Sequence, residues 1–521
     1  MACESGEAAR SYHAATKHSE VSLRTSGHYL DWNTRPPPFK VYRQKRSIDL
    51  PRDLPHPKRD SLETILEQPV VETGPVTIKN LAELLFFSAG LTRRVKMGSE
   101  YYYMRAASAT GALYPIELYV LAARVQGLDP GVYHFNPLAF SLVVLREGDY
   151  STELMNATST HFQTSPLTVA FTSLAWRNAW KYEARSYRHW FWDAGVIIAN
   201  LLAICSSEGL PTRLRTGFVD EDIDRLLGLR PLKEATVAIA EIGTPTEIFE
   251  SSVKREVTQL EFGNGPLSQG EVDYPIIWET NKASELHNPE EVNTWRQSLK
   301  PATVKTSSSY PRFPLRPSIL NSLSLSSTIL RRGSTRRFAQ QPISFEALSR
   351  ILESSTGSIP LDFLKADQSI IEFYFIANDV KGLPSGSYHF DRETKTLEQL
   401  KEGKMRYASG YLSLEQLLFS DASVVFFLMT DLGRVLTGLG DRGYRAAQLE
   451  AGIRAGKIYL SAYALGVGAS GSTFYDDAVT EFFSPRAKNL STMIEVGIGV
   501  PAYTARPGKI LPQFGNPNSQ R

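Results

Sequence analysis

Cysteine is nearly absent from this chain of 521 residues. Only Cys3 and Cys205 occur, with no CxxC and no Cys/His spacing, which excludes a disulfide framework and argues against a thiolate metal site. Cys205 falls in an apolar run and reads as a small core residue. An excess of charge is also missing: 57 basic residues face 55 acidic ones, so the total selects neither nucleic acid nor an anionic membrane surface. No predominantly apolar stretch reaches the ~18 residues that a membrane helix needs. Met1 to His18 is polar and lacks the apolar centre of a signal peptide. Together these absences set the expectation of a cytoplasmic protein, with neither nucleic acid nor membrane as partner, whose chemistry sits in local sites.

What the chain does have is a repeat. Val125 to Phe135 and Val380 to Phe390 share the frame V-x-G-L-x-x-G-x-Y-H-F. Further on, Arg185-Ser-Tyr-Arg188 with Asp193-Ala-Gly195 returns as Arg442-Gly-Tyr-Arg445 with Glu450-Ala-Gly452. Tyr133 and Tyr388 lie 255 residues apart, Arg188 and Arg445 257 apart. Solenoid repeats run to roughly 20 to 50 residues, so this period marks a duplicated domain. The length suits two cores.

The expected organisation is an irregular N-terminal arm over 1–60, a first domain over 61–250, a Pro- and Ser-rich linker over 251–321 and a second domain over 322–521. Hydrophobic periodicity in the first copy predicts helices over 78–88, 187–206 and 221–227 and strands over 117–123, 167–173 and 235–242. The second predicts helices over 344–354, 443–465 and 477–482 and strands over 371–377, 423–429 and 493–498. Helices and strands in this order, twice over, give an α+β or α/β sandwich. The central helix of the first copy is apolar over most of its circumference, whereas its counterpart carries Ala446, Ala447, Ala451, Gly452, Ala455 and Gly456. Small side chains admit a close neighbour, so the two helices are expected to pack together across a pseudo-twofold axis; the alternative is two independent cores.

Gly466 to Gly471 matches G-x-G-x-x-G but follows a long helix instead of a strand, which excludes a dinucleotide fingerprint. A stronger anion site is Arg331 to Arg337, where guanidinium forks and hydroxyls converge; a solvated basic turn is the alternative. At the matching place the first copy has Ile65, Glu67 and Pro69 against Arg332, Ser334 and Arg336. Conversely, Arg105 to Pro115 is a small-residue turn where backbone can lie against a planar ligand, and the second copy has the bulkier Leu361 to Gln368 there. Lys181-Tyr182, present only in the first copy, is a candidate proton-transfer pair or else ordinary surface.

These residues resemble the nitroreductase-like flavin enzymes, in particular the SagB-type branch with the azoline dehydrogenases. The likeness starts near Tyr12, in Tyr12 to His18 and Ser26 to Asp31, and covers nearly the whole chain. It implies tandem nitroreductase-like sandwich domains forming an intramolecular pseudo-dimer, the equivalent of a homodimer with FMN at its interface. It also implies that the R-x-S-x-R turn of Arg332, Gly333, Ser334 and Arg336 takes the FMN phosphate and that Gln416 meets the polar edge of the ring. Ala469, Ser470 and Gly471 match the family's Gly-rich segment, and Arg506 or Lys509 its basic tail. From the other half, Ser108, Ala109, Thr110 and Gly111 through Pro115 match a P-S-A-G-A-L-Y-P turn, with Ser108-Ala109 where the family often has Pro-Ser. The azoline dehydrogenases' Lys-Tyr pair falls on Lys181 and Tyr182.

The expectation is one FMN site per chain, serving a flavin-dependent oxidoreductase that moves hydride between an organic substrate and FMN. Its partners are a small-molecule or peptide substrate and, in an alternative reading as a nitro or quinone reductase, NAD(P)H. A non-catalytic flavin-binding protein is the second alternative. The chain is expected to be a monomer with internal pseudo-twofold symmetry and no metal.

Overall fold

The computed structural model describes residues 5–42, 45–66, 74–98, 100–160, 163–247, 257–260, 267–300, 309–318, 320–365 and 367–510. Cys3, Glu67, Pro69 and Ala366 lie outside the described residues. In each half the longest apolar runs form the middle of a seven-stranded antiparallel sheet. The first contains β1 (Ser47–Asp49), β2 (Ile116–Ala122), β3 (Gly131–Asn136), β4 (Ser141–Glu147), β5 (Leu167–Leu174), β6 (Thr212–Arg215) and β7 (Glu234–Ile242), ordered β1-β4-β3-β2-β5-β7-β6. The second contains β8 (Arg312–Pro314), β9 (Glu372–Ala377), β10 (Gly386–Asp391), β11 (Thr396–Glu402), β12 (Val424–Thr430), β13 (Gly468–Ser472) and β14 (Ser491–Gly499), ordered β8-β11-β10-β9-β12-β14-β13. The two orders are the same. β5 and β12 are buried along their whole length, as strands covered on both faces must be.

Between the sheets lie the central helices α1 (Ser186–Ser207) and α2 (Arg442–Ala464), each against its own sheet and both against each other. A Cβ on Gly195 would stand 2.5 Å from the Gly452 carbonyl carbon, and one on Gly452 2.7 Å from the Phe191 carbonyl oxygen. The repeated D/E-A-G frame is therefore the helix crossing, where two backbones meet and no side chain fits. Trp192 seals it by donating its indole N–H to Gln448 Oε1 at 2.6 Å. One hydrophobic cluster runs through both halves, so the cores are not independent.

The R-x-Y-R frame ties each half to the other reciprocally. Arg185 and Arg188 on α1 donate to Asp476 of the second half at 2.9 and 2.7 Å, while Arg442 and Arg445 on α2 donate to Asp220 of the first at 2.5 and 2.7 Å. Reciprocal pairing of this kind is the signature of an isologous, twofold interface. Burial pushes the Asp476 and Asp220 carboxyls up, but the paired arginines outweigh it and hold both below the ordinary range. In the Y-H-F frame, Tyr133 and Tyr388 each donate to a carbonyl four residues earlier, at Asp129 and Pro384, both at 2.6 Å.

Several expectations need correction. Residues 1–60 are not merely irregular: helix Glu7–Ala15 inserts Tyr12 edge-on between Tyr187 and Tyr444, with ring centroids 5.3 and 5.6 Å away. The segment 251–321 includes helices Pro275–Ala283 and Pro289–Gln297 and strand β8. The Pro-rich composition that reads as a linker includes Pro275 and Pro289, which open helices, a position that requires no N–H. One segment, Ala175–Ser207, does reach a mean hydropathy of 1.4 over 18 residues, but it is 94% buried within the fold. The hairpin Leu91–Met97 with Glu100–Arg105 has no counterpart among the described residues of the second half, and the hydrophobic periodicity does not mark it.

Candidate active site

The small-residue turn of the first half is fixed by a buried carboxylate. Asp193, on α1 two residues before the helix crossing, accepts from the Thr110 N–H at 2.9 Å, the Thr110 hydroxyl at 2.8 Å and Asn178 Nδ2 at 3.3 Å. Among the described residues no cation pairs with it, and burial pushes its carboxyl up to about 7 against the pull of those hydrogen bonds. Its counterpart Glu450 pairs with Arg454 at 2.7 Å. Ser108, Ala109, Tyr114 and Asp193 line a small crevice under the turn.

Lys181 and Tyr182 end the helix Ala175–Tyr182, which Asn178 ties to the same carboxylate. Gly111 makes room for Tyr182: with φ 62°, it has no side chain where a Cβ would stand 2.7 Å from the Tyr182 hydroxyl. The Lys181 ammonium lies 5.3 Å from the centre of the Tyr182 ring. His189 meets that ring edge-on at 4.7 Å, and burial followed by Arg185 and Arg188 holds its imidazole well below the usual range, hence neutral. Burial and the Asp193 charge push the Tyr182 hydroxyl up, while Arg336 of the second half pulls it down.

The turn around Arg336 divides its labour. The Arg332 guanidinium is buried and donates to the carbonyls of Ala106 at 2.8 Å and Arg105 at 2.9 Å, tying the turn to the first half. The Tyr459 hydroxyl accepts the Gly471 N–H; burial pushes this phenol up, and Ser334 and that N–H pull it down. Gly333 faces Tyr463 and Arg93, with a Cβ there 3.5 Å from the Tyr463 hydroxyl and 3.7 Å from Arg93 Nη1. Arg336 is exposed and has no ion pair among the described residues. Lys509 reaches this region through its backbone, donating to the Thr92 carbonyl at 2.8 Å, and its side chain is exposed. Arg506 is also exposed and pairs with none of these groups among the described residues.

Gln416 donates both amide hydrogens, to the Ser413 carbonyl at 2.9 Å and the Ser472 hydroxyl at 2.7 Å, which leaves its Oε1 available. Ser470 is buried on β13 and Gly471 beside it is exposed. Left-handed backbone brackets the site: Gly111, Ala112 and Tyr114 have φ of 62°, 54° and 51°, Glu183 has 49°, and Leu414 and Glu415 have 56° and 60°. Non-glycine residues adopt this region at a cost of about 1–3 kcal/mol each, and such strain concentrates at functional sites.

The sequence pattern of the Nitroreductase family matches residues 52–244 and 329–497. The chain belongs to the nitroreductase family, and so to a family of oxidoreductases. A putative nitroreductase of Methanocaldococcus jannaschii, MJ1384, is 26% identical over 168 residues, 31% of this chain and 85% of that protein. The crystal structure of a putative nitroreductase from Anabaena variabilis ATCC 29413 superposes with a TM-score of 0.74 at 25% identity, covering 96% of this chain and 100% of that one. Nitroreductase-family sandwiches in tandem are therefore the fold of this chain.

Within this nitroreductase-family protein the position related to β13 by the internal symmetry is built differently. Ile242 and Ile498 both pair with the first residue of the neighbouring strand, Leu167 and Val424. By register Arg213, Leu214 and Arg215 then stand where the second half has Ser470, Gly471 and Ser472. The Leu214 N–H donates to the Pro360 carbonyl at 2.8 Å. Asp362 accepts from Thr216 N at 2.9 Å, Gly217 N at 3.1 Å and Arg296 Nε at 2.9 Å. A Cβ on Gly217 would lie 2.9 Å from the Trp295 ring. Leu361 to Lys365, noted only as bulky, together with helix Pro289–Gln297 fill this place. Asp193, Arg93, Tyr459 and Tyr463 were missed as site residues, because the sequence marked Asp193 only as repeat scaffold and carried no signal for the others.

Proposed function

We propose that this nitroreductase-family protein is an FMN-dependent dehydrogenase of the SagB type, moving hydride between an organic substrate and one flavin held between its halves. The observation that carries the reading is the bridge between the halves, in which Arg332 of the R-x-S-x-R turn donates to the Arg105 and Ala106 carbonyls of the small-residue turn, whose Gly111 packs on Tyr182 beside Lys181. The residues present suit FMN. Arg336, Ser334 and Lys509 offer cations and a hydroxyl to a phosphate. Gly471 leaves a strip of backbone open, and Gln416 Oε1 offers an acceptor to the polar edge of a ring. Arg332 acts by position, joining the phosphate turn to the small-residue turn.

When bound, the flavin supplies the hydride chemistry, and the protein orients the reactants and handles the proton. Tyr182 keeps its proton at neutral pH, since burial and Asp193 outweigh Arg336, and so acts as a hydrogen-bond and proton donor toward substrate. Lys181 is half-exposed beside it and, as the free amine, takes the proton from the carbon adjacent to the one that gives up hydride, so that the double bond forms between them as oxidation of an azoline requires. Asp362, Arg296 and Trp295 at the symmetry-related position support a single site. One chain supplies both sides of that site, so the protein works as a monomer on a small-molecule or peptide substrate.

FMN titration followed by absorbance tests the reading: about one flavin per chain is expected, while colourless protein that takes up no FMN refutes it and two per chain refute the single site. Lys181→Ala should keep its flavin and lose turnover of an azoline substrate; unchanged turnover removes Lys181 from the mechanism. The names of the relatives favour a second reading, a reductase using NAD(P)H on nitro or quinone compounds. Rapid anaerobic reduction of the bound flavin by NAD(P)H would select it.

A further inference from the structure

The symmetry-related position is closed toward the centre of the molecule, but its outer side holds a polar recess of about 200 Å³ lined by Ser159, Thr160, Gln163, Ser165, Arg213, Arg215 and Glu241. Its place in the fold corresponds to that of Gln416 and β13 in the second half. Ser159 lies eight residues before Leu167, as Gln416 lies eight before Val424, and Arg213 and Arg215 take the places of Ser470 and Ser472.

The charges in the recess do not cancel. Arg215 is committed to Glu241, with Nε at 2.9 Å and Nη2 at 2.8 Å from the same oxygen. Arg296 behind it is committed to Asp362 at 2.9 Å. Arg213 stands opposite Glu241 in the strand register, yet it is exposed and has no ion pair among the described residues. One uncompensated guanidinium therefore borders a cavity furnished with three hydroxyls and a carboxamide. Guanidinium and hydroxyl groups together match the lone pairs of an oxyanion. Pockets for drug-sized ligands run to roughly 300–1,000 Å³, so this one suits a smaller guest.

We propose that this recess is a second ligand site, which binds a small oxyanion of the phosphate class at Arg213 with the hydroxyls of Ser159, Thr160 and Ser165. Arginines thus stand in the first half where the second half has serines, and the recess beside the plug presents Arg213 to an anion. The site does not depend on the flavin reading, since its residues belong to the first half alone.

Isothermal titration of the full-length protein with inorganic phosphate tests the proposal, at low ionic strength because an exposed arginine is screened by salt. Saturable binding is expected at one equivalent beyond any taken up by the Arg336 turn, unchanged when that turn is filled with FMN. Arg213→Ala should weaken it about tenfold, the loss of a charge-assisted hydrogen bond, and Thr160→Val by a smaller factor. Arg336→Ala and the exposed Arg52→Ala should leave it unchanged. The proposal is overturned if the wild-type protein shows no saturable binding, if Arg213→Ala binds as tightly as the parent, or if Arg336→Ala alone removes the signal, which would assign the anion to the flavin-phosphate turn.

Discussion

Replacing Asp193 by Asn tests whether the carboxyl that holds the small-residue turn is neutral in the folded protein. Asp193 is 3% exposed, and its partners are the Thr110 N–H and hydroxyl and the Asn178 amide. Burial raises it to about 7, while an aspartate in an unfolded chain titrates near 3.9. Between those values the folded protein binds a proton that the unfolded chain does not, so stability falls as pH rises. The slope is about 1.4 kcal/mol per pH unit, which gives about 4 kcal/mol over the window. This contribution is complete below about pH 4 and lost above about pH 7. Asparagine keeps the shape without titrating. Asn178 Oδ1 has no partner, so turning its amide over lets it accept from the new Nδ2–H and preserves all three hydrogen bonds. Guanidinium unfolding midpoints for parent and Asp193→Asn at pH 5 and pH 8 form the assay. The variant should exceed the parent by about 1.5 kcal/mol at pH 5 and by up to about 4 kcal/mol at pH 8, a gap that widens by about 3 kcal/mol between the two. Asp224, also raised by burial to about 7, contributes equally to both proteins and cancels in the difference. Parallel pH profiles would show that Asp193 is ionised throughout, and the argument from a missing counter-ion would fall.

Two further perturbations address the scaffold. Gly195→Ala places a Cβ 2.5 Å from the Gly452 backbone, so the helices must separate and the melting temperature should drop by the equivalent of at least 1–3 kcal/mol, the usual range for overpacking; an unchanged melting curve would show that the crossing is loose. Asp476→Asn and Asp220→Asn each leave two buried arginines without a counter-charge, and each should destabilise by about 3–5 kcal/mol in chemical denaturation. Both carboxyls titrate below the ordinary range in the fold, so the parent should lose this stability only as pH falls through those depressed values. If only one of the two substitutions destabilises, the reciprocal lock is not energetically symmetric.

The repeated elements were legible because each has a local cause written into consecutive residues. Periodicity placed α1 and α2 to within one residue at each end, since amphipathic or wholly apolar runs of that length have few alternatives. Small residues announced the helix crossing because close approach excludes every larger side chain. The hairpin Leu91–Arg105 was not legible: its strands are half-exposed and charged, and the apolar alternation that marks a buried strand is missing. The helices at Pro275 and Pro289 were hidden because proline ends one helix and begins another with the same letter. At the site, Arg332 and Arg336 are alike in sequence and differ in role. Only the fold shows that Arg332 reaches the Arg105 and Ala106 carbonyls while Arg336 stays exposed.

Fusion of the two halves explains why symmetry persists in one part of the molecule and fails in another. In a dimer of identical chains a substitution appears on both sides of the axis, so a change that closes one site closes its twin. One polypeptide carries no such constraint. Residues that pair across the axis with their own counterparts, such as Gly195 with Gly452 and the four arginines with Asp220 and Asp476, still face the same demand in both copies, and there the halves agree. Residues that face a ligand face it once. With the proposed single flavin site, Thr110, Lys181 and Tyr182 in one copy and Ser334, Arg336 and Gln416 in the other need no counterparts, and Leu361 to Lys365 fill the symmetry-related position. Divergence is thus concentrated where the two copies see different surroundings, and the failures of the repeat locate the chemistry more sharply than the repeat itself.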